Sequence, residues 1–252
     1  MFDWSTQLLL FLVALAANLL SAFSGGGAGL LQLPALILLG LPFPVALATH
    51  KIASVALGIG ATARNLKSER LERGFVLLLV ACGVPGAVLG AWWVLELPER
   101  GAEIALGLLT IGLGLYSWTK PNLGLEMRPR HRDPLGLAVG GAVLFAIGVL
   151  NGSLTSGTGL FVTLWLVRWF GLDYARAVAH TLVLVGLFWN GAGALTLGVL
   201  GEVAWDWLPA LLLGSLLGGY LGAHLAIVKG SRLVKRAFEL LTIAAGATLL
   251  LR

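Results

Sequence analysis

Three ionisable side chains lie inside long apolar stretches of this sequence: His50, Lys51 and His180. Ionisable groups at such positions are costly in a membrane and are therefore candidates for function. No carboxylate lies near them in sequence, whereas a cation site would need several oxygen ligands. Lysine and protonated histidine instead favour a site for a small anion. Structural alternatives stay open, since either histidine could bond a neighbouring helix and Lys51 could extend to the outer membrane interface.

Two glycine-rich breaks interrupt apolar segments at residues 24–29 and 155–159. Glycine permits unusual backbone angles and leaves the N–H groups unobstructed. A helix that starts at such a break adds the positive end of its dipole, which favours an anion. A packing kink or a simple tight turn is the alternative, and the presence of a break in both halves makes it less favoured. The residues predicted to bind the anion are Ser24, Gly25, Gly26, Gly27, Gly29, Thr49, His50, Lys51, Thr155, Ser156, Gly157, Thr158, Gly159, His180, Thr181 and Asn190.

The composition places these residues in a lipid bilayer. Charged residues make up 12% of the 252 positions, about half the share of a soluble domain, and several apolar stretches approach or exceed the ~18 residues of a membrane span. The Lys and Arg residues lie in the short gaps between apolar runs, which indicates topology rather than a nucleic-acid surface. The first residues lack the basic segment of a cleavable signal peptide, so we expect residue 8 onward to be a mature segment.

The sequence offers no cofactor, metal or catalytic motif. Its single cysteine, Cys82, cannot form a disulfide within the chain, and a thiolate metal cluster is unsupported. There is no G-x-x-x-x-G-K-[ST] nucleotide loop, no HExxH and no G-x-S-x-G. We therefore expect neither an enzyme nor an ATP-driven pump.

The second half of the sequence repeats the first at an offset of 130 to 132 residues. Any single match could arise by chance in a chain rich in Leu and Gly, but the collinear order of the matches argues against chance. The repeat predicts two membrane units, 1–119 and 134–252, joined by a basic cytoplasmic linker, 120–133. The matched pairs are Gly29 with Gly159, Gly40 with Gly171, Ala46 with Ala177, Gly86 with Gly218, Gly90 with Gly222, and Thr110 with Thr242.

Positive charge decides how each broken segment lies in the membrane. If each crosses once, nine Lys and Arg residues lie inside and seven outside; if each folds back as a hairpin, fourteen lie inside and two outside. The positive-inside rule favours the hairpins. We therefore predict an all-α integral membrane protein of two inverted-topology repeats, each a broken helical hairpin plus three transmembrane helices. Both termini are then periplasmic. Broken helices in inverted repeats are typical of secondary transporters.

The residues from Asn18 to Leu30, followed by Leu33-Pro34 and the run from Ala48 to Lys51, resemble the TauE/SafE sulfite-exporter family. The second copy, from Asn151 to Leu160 with Ala179, His180 and Thr181, is similar to the same pattern. The resemblance covers essentially the whole chain. It implies transport of sulfite, an organosulfonate or a related sulfur-containing anion across the bacterial inner membrane. Spacing and composition alone support only a small anion.

The leading hypothesis is an alternating-access carrier that exports such an anion, with coupled protons as an option through His50, His180 or Glu239. Glu239 could equally pair with Lys235 at i and i+4. Two alternatives stay open: an anion channel, and a membrane-embedded enzyme or accessory subunit that uses the cavity for chemistry.

Overall fold

The computed structural model describes residues 4–68, 71–93, 99–154 and 157–251. The regular elements within these ranges are all helices, which confirms the predicted all-α membrane protein. A π-helical segment, Leu184–Trp189, joins two of them, and Gly230 interrupts the last. The helices are α1 (Trp4–Ser24), α2 (Ala28–Leu38), α3 (Phe43–Asn65), α4 (Arg73–Trp93), α5 (Glu99–Trp118), α6 (Pro134–Leu154), α7 (Thr158–Arg168), α8 (Tyr174–Val183), α9 (Asn190–Leu200) and α10 (Leu208–Leu251).

Six of the described helical runs are long and apolar enough to cross a membrane. They include α1, α3, α4 and α6, the continuous run Tyr174–Leu200, and α10. At Gly230 the backbone takes φ 73° and ψ 175°, a left-handed conformation that glycine adopts without strain. This residue divides α10 into a first arm, 208–229, and a second arm, 231–251, each about 30 Å long at 1.5 Å per residue.

α2 and α7 are the short helices that follow the two glycine-rich breaks. Each has 11 residues, or about 16 Å, which is roughly half of the hydrocarbon core. α7 returns to the start of α6, because the Trp169 indole donates to the Gly136 carbonyl at 3.0 Å. The broken segment of the second half is therefore a hairpin.

Contacts with the loop that precedes α10 show that α1 and α2 of the first half also form a hairpin. Gln7 near the start of α1 donates to the Asp206 carbonyl at 2.8 Å. The Ala204 amide donates to the hydroxyl of Thr49 at 3.0 Å, near the start of α3. α1 therefore begins at the same end of the bundle where α2 finishes and α3 begins.

The first arm of α10 relates the two hairpins to each other. The free ends of the first hairpin lie where this arm begins, because residues 204 and 206 contact Thr49 and Gln7 there. Where the arm finishes, Ser231 accepts from the Ala175 amide at 3.2 Å and donates to Asp173 at 3.0 Å. Asp173 lies in the short turn between α7 and α8. The free ends of the second hairpin therefore lie at the other end of this arm.

Helices of the two halves pack against each other, so the halves do not form two separate bundles. α1 lies along the first arm of α10, where a Cβ on Gly218 would lie 2.7 Å from the Leu15 carbonyl oxygen. α6 lies along α4 in the same manner, since Gly86 and Gly90 face the backbone of Phe145 and Val149. Small residues allow this close approach of membrane helices. The first helix of each hairpin is thus held by a helix of the other half.

The segment between the halves is folded against the turn that joins α7 to α8. Arg128 and Arg130 donate backbone N–H groups to Gly171 and Phe170, at 2.7 and 3.1 Å. The Tyr174 amide donates to the Gly124 carbonyl at 2.8 Å. These bonds fix the basic residues of the segment relative to α7.

Candidate functional site

Both short helices begin at a glycine in the left-handed region. Gly27 precedes α2 with φ 94°, and Gly157 precedes α7 with φ 75°. Neither glycine can offer a side-chain cap, and the first N–H groups of a helix have no partner within the helix. Each start therefore presents backbone donors and the positive end of a dipole.

The two helix starts touch each other. A Cβ on Gly26 would lie 2.7 Å from Cα of Gly159, closer than side-chain atoms pack. Beside this contact the Thr163 hydroxyl donates to the Gly25 carbonyl at 2.7 Å. Glycine at both positions is what lets the two tips meet backbone to backbone, and their positive ends converge on one point.

A small cavity of about 40 Å³ lies at the meeting point, which is room for roughly one to three water-sized groups. Its walls come from both hairpins, from α3, and from the run of α8 and the π-helical segment. The lining residues are Ser21, Gly26, Gly27, Ala28, Gly29, His50, Ser54, Leu57, Asn151, Thr158, Gly159, Thr181, Leu182, Val185, Gly186 and Asn190.

Lys51 lies directly behind this lining and is fully buried. Its Nζ donates to the carbonyl and the side-chain oxygen of Asn151, at 2.5 and 3.0 Å, and to Asn190 Oδ1 at 3.3 Å. Asn151 in turn donates to the Thr158 hydroxyl at 2.9 Å, at the start of α7. No Asp or Glu in the described ranges forms an ion pair with Lys51. Among the residues that the structure describes, the partners of this buried lysine are neutral oxygens. An anion in the cavity would therefore balance its positive charge.

His50 connects the cavity to a second polar network. Its Nδ1 lies 3.2 Å from Gln32 Oε1, and its Nε2 lies 3.2 Å from the Ser54 hydroxyl. With an amide oxygen as partner, Nδ1 carries the proton, and Nε2 accepts from Ser54. Gln32 Oε1 also accepts from Asn18, which bonds Ser215 on α10 at 2.9 Å. The network ties α1, α2, α3 and α10 together next to the cavity.

The π-helical segment is the irregular wall of the cavity. Gly58 on α3 packs against it, and a Cβ there would lie 2.6 Å from the carbonyl carbon of Gly186. The Trp189 indole donates to the Leu79 carbonyl at 2.8 Å and anchors the segment to α4. Asn190 follows at once, with its side chain at the cavity and at Lys51. π-helical turns inside α-helices are frequent at functional sites.

The structure brings about half of the predicted site residues to the cavity. Gly25 lies at the tips but contacts Thr163 instead of the cavity, and Lys51 lies behind the lining. Ser24, Thr49, Gly157 and His180 do not line it, while Thr155 and Ser156 lie outside the described residues. The predicted residues that line the cavity are Gly26, Gly27, Gly29, His50, Thr158, Gly159, Thr181 and Asn190.

His180 has a structural environment. Its Nδ1 lies 2.8 Å from the Arg176 carbonyl, and its Nε2 accepts from the Glu72 amide at 2.8 Å. Glu72 also pairs with Arg132 at 2.9 Å, and the Arg132 guanidinium lies 3.8 Å from the Phe75 ring centre. Burial lowers the pKa of Arg132 from its ordinary value, and Glu72 partly offsets that effect. His180 thereby joins α8 to the start of α4.

Glu239, considered as a proton relay, also lies in a cluster of its own. It pairs with Lys235 at 2.5 Å and accepts from the Ser117 hydroxyl at 2.8 Å. Ser117 is 2.8 Å from the Tyr174 hydroxyl. The i and i+4 pair expected from the sequence is thus present, between α10, α5 and α8.

Sequence reasoning missed several polar residues of the site. Ser54 follows His50 by four residues, so helical spacing puts both on one face of α3 and could have identified it. Ser21 and Asn151 each stand shortly before a glycine tip, at equivalent places in the two halves. Gln32 lies one turn into α2 and gave no comparable signal. No group of three or more His, Cys, Asp or Glu suited to a metal ion occurs among the residues that the structure describes.

Comparison with known proteins identifies a family and several relatives that are similar to this chain. Residues 10–249 match the family described as Sulfite exporter TauE/SafE. A probable membrane transporter protein of Escherichia coli, YfcA, is 32% identical over 244 residues, covering 96% of this chain and 88% of that protein. Probable membrane transporter proteins of Haemophilus influenzae and a Sinorhizobium species are each 28% identical, covering 90% and 96% of this chain and 88% and 91% of theirs. None of the solved structures matches the chain. The resemblance seen in the sequence is therefore confirmed, and the chain belongs to the TauE/SafE family of multi-pass membrane transporters.

Proposed function

We propose that this protein is a secondary transporter that exports a small sulfur-containing anion, sulfite or an organosulfonate, by alternating access. One observation carries the proposal: two helix starts meet at a small cavity beside Lys51, whose partners among the described residues are neutral oxygens. Converging helix dipoles and a buried cation both favour a negative guest. The description of the matched family supports the sulfur oxyanion among the possible anions.

The same geometry supports a carrier over an anion channel. The tips touch, and the space between them is only about 40 Å³, so a permeating anion requires the tips to separate. The two hairpins, each held by a helix of the other half, are natural moving parts for that separation. A carrier of this kind draws its energy from an ion gradient, a substrate gradient or the membrane potential, which favours exit of an anion from a negative interior.

The proposal includes two halves of opposite orientation in the bacterial inner membrane, with both termini in the periplasm. It is supported by the charge distribution, because the hairpin arrangement leaves fourteen Lys and Arg residues on one side and two on the other. The contacts at the two ends of the first arm of α10 support it as well.

The test combines binding and transport with purified protein. Sulfite, sulfate, thiosulfate, sulfoacetate and small carboxylates are compared by thermal shift, because a ligand that binds the folded state stabilises it. Uptake of the best ligand is then measured in proteoliposomes for the wild type, Lys51→Met and Lys229→Met. Lys51→Met removes the positive charge beside the cavity. A charge-assisted interaction is worth about 1.5–3 kcal/mol, so we expect uptake to fall about 10- to 100-fold.

Lys229→Met is the matched control, since it makes the same substitution at an exposed lysine on α10. Uptake by this variant should equal that of the wild type. Normal flux through Lys51→Met protein that is correctly folded by melting temperature would refute the site. A single-molecule conductance far above the turnover rate of a carrier would show that the protein is a channel.

A further inference from the structure

A basic pocket lies at the junction of α5, α7 and the segment between the two halves. It has a volume of about 370 Å³ and contains Tyr116, Lys120, Arg130 and Arg168. The three cations are exposed, and none of them pairs with an Asp or Glu of the described ranges. Three unneutralised positive charges around one pocket favour a ligand with a phosphate or a similar anionic group.

The frame of this pocket is fixed. Arg168 Nε donates to the Tyr116 hydroxyl at 2.7 Å, which holds the guanidinium between α5 and α7. The backbone of Arg130 is bonded to Phe170 at 3.1 Å, directly after α7. The three cations are therefore presented on an ordered surface rather than on a free loop.

An apolar groove of about 410 Å³ continues from the pocket along α7. Tyr116 and Arg168 line both, so the two are contiguous. From Arg168 the groove reaches Phe161 on α7 and Leu150 on α6. Seven residues of helix correspond to about 10 Å, so the groove extends roughly a third of the way through the hydrocarbon core.

A free anion would use the basic pocket but has no need of an apolar groove. A phospholipid has both parts, with a phosphate at the interface and acyl chains below it. Basic pockets between membrane helices on the cytoplasmic side are suited to anionic headgroups. Trp165, one turn deeper than Arg168, adds an aromatic side chain to the groove.

We propose that this composite site binds an anionic phospholipid, with its phosphate held by Lys120, Arg130 and Arg168 and one acyl chain in the groove between α5, α6 and α7. The site is separate from the anion cavity, but α7 connects them. Thr158 at the start of α7 lines the cavity, and Arg168 at its end lines the lipid pocket. A bound lipid would therefore stabilise the position of the second hairpin.

The test measures melting temperature in mixed micelles that contain phosphatidylglycerol or phosphatidylcholine with identical acyl chains. We expect phosphatidylglycerol to raise the melting temperature of the wild type by about 3–6 °C and phosphatidylcholine by less than about 1 °C. The triple variant Lys120→Gln, Arg130→Gln and Arg168→Gln should lose the difference between the lipids. Ala146→Phe, which narrows the groove and keeps all three charges, should lose most of it.

The matched control removes three other exposed cations: Arg128→Gln, Lys229→Gln and Arg232→Gln. It should keep the full effect of phosphatidylglycerol. Equal loss in both triple variants would overturn the proposal in favour of general surface charge. The same stabilisation by inorganic phosphate alone, or by both lipids, would overturn it as well, and so would an Ala146→Phe variant with the full effect.

A second measurement uses only the wild-type protein, so its result does not depend on the folding of any variant. The protein is purified from membranes that hold both lipids in equal amounts, and its bound lipid is identified by native mass spectrometry. Retention of phosphatidylglycerol in a one-to-one complex supports the site. Retention of neither lipid, or of both equally, contradicts it.

Discussion

α3 of the first half and the run of α8, the π-helical segment and α9 in the second half occupy corresponding places around the cavity. At an offset of 131 residues, His50 corresponds to Thr181, and both line the cavity. Lys51, however, corresponds to Leu182, so the second half has no matching cation. α3 is a regular helix of 23 residues, whereas its counterpart is interrupted from Leu184 to Trp189.

This difference separates what the repeat supplies from what each half supplies alone. The repeat supplies geometry: two tips, two facing helices and a cavity between them. The first half adds the charge, through Lys51, and the second half adds the side chain of Asn190 that receives it. The proposed anion would therefore lie between two similar helix starts but beside a positive charge from only one half.

The two intramembrane histidines show the same contrast on a smaller scale. His50 bonds two side chains beside the cavity, Gln32 and Ser54. His180 bonds two backbone groups away from it, those of Arg176 and Glu72. His50 and His180 lie at similar depths in the sequence pattern but have different roles, because the two rings point to different sides of their helices.

The largest expected effect concerns the orientation of the two halves. Cysteines are introduced singly, as Glu202→Cys and Arg232→Cys, in a Cys82→Ser background. These positions are exposed and flank the first arm of α10. A membrane-impermeant maleimide should label Glu202→Cys in intact cells and Arg232→Cys only after permeabilisation. Labelling of Arg232→Cys in intact cells would show that the two halves do not have opposite orientations in the membrane. The correspondence of α3 with α8 and α9 would then be wrong as well.

A second, smaller effect tests the contact between the tips. Gly26→Ala places a Cβ 2.7 Å from Cα of Gly159 at a φ of 134°, so the tips must shift apart. A misplacement of about 1 Å at a reacting centre can cost about 100-fold in rate, and we expect a loss of uptake of about 10- to 100-fold. Gly40→Ala is the control, because φ is 106° there and no atom lies within 4 Å. Equal loss in the two variants would trace the effect to backbone strain alone.

The smallest expected effect separates the two histidines. His180→Ala removes two part-buried hydrogen bonds, worth about 2 kcal/mol together, which should lower the melting temperature by roughly 5 °C. The anion concentration for half-maximal uptake should stay within about twofold of the wild type. His50→Ala should instead raise that concentration about 5- to 10-fold, the value of about one hydrogen bond at the site. A larger shift in His180→Ala than in His50→Ala would reverse the two roles.

Much of the fold was available from the sequence, for reasons of length and charge. The apolar stretches set the spans, the glycine-rich breaks set the starts of α2 and α7, and the short apolar run after each break was too short to cross. The i and i+4 spacing of Lys235 and Glu239 also indicated their pairing. Each of these features depends on local chemistry, which a linear pattern carries.

The site was predicted only in part, since its residues are joined by contacts over long separations. The bonds from Lys51 to Asn151 and Asn190 span 100 and 139 residues. The contact of Glu72 with His180, across 108 residues, decided that this histidine is structural. Neither relation leaves a local signal, because helical periodicity states which residues share a face but not what that face meets.

The sequence by itself determined a helical membrane protein, and it predicted two related halves that each start a helix at a glycine break, because hydropathy and glycine content act locally. Only the tertiary structure decided which faces meet at the cavity, and that Lys51 stands behind two asparagines rather than in front of them. The physical reason is that a buried cation must find its partners wherever packing brings oxygens within reach, and that choice is made by the whole bundle.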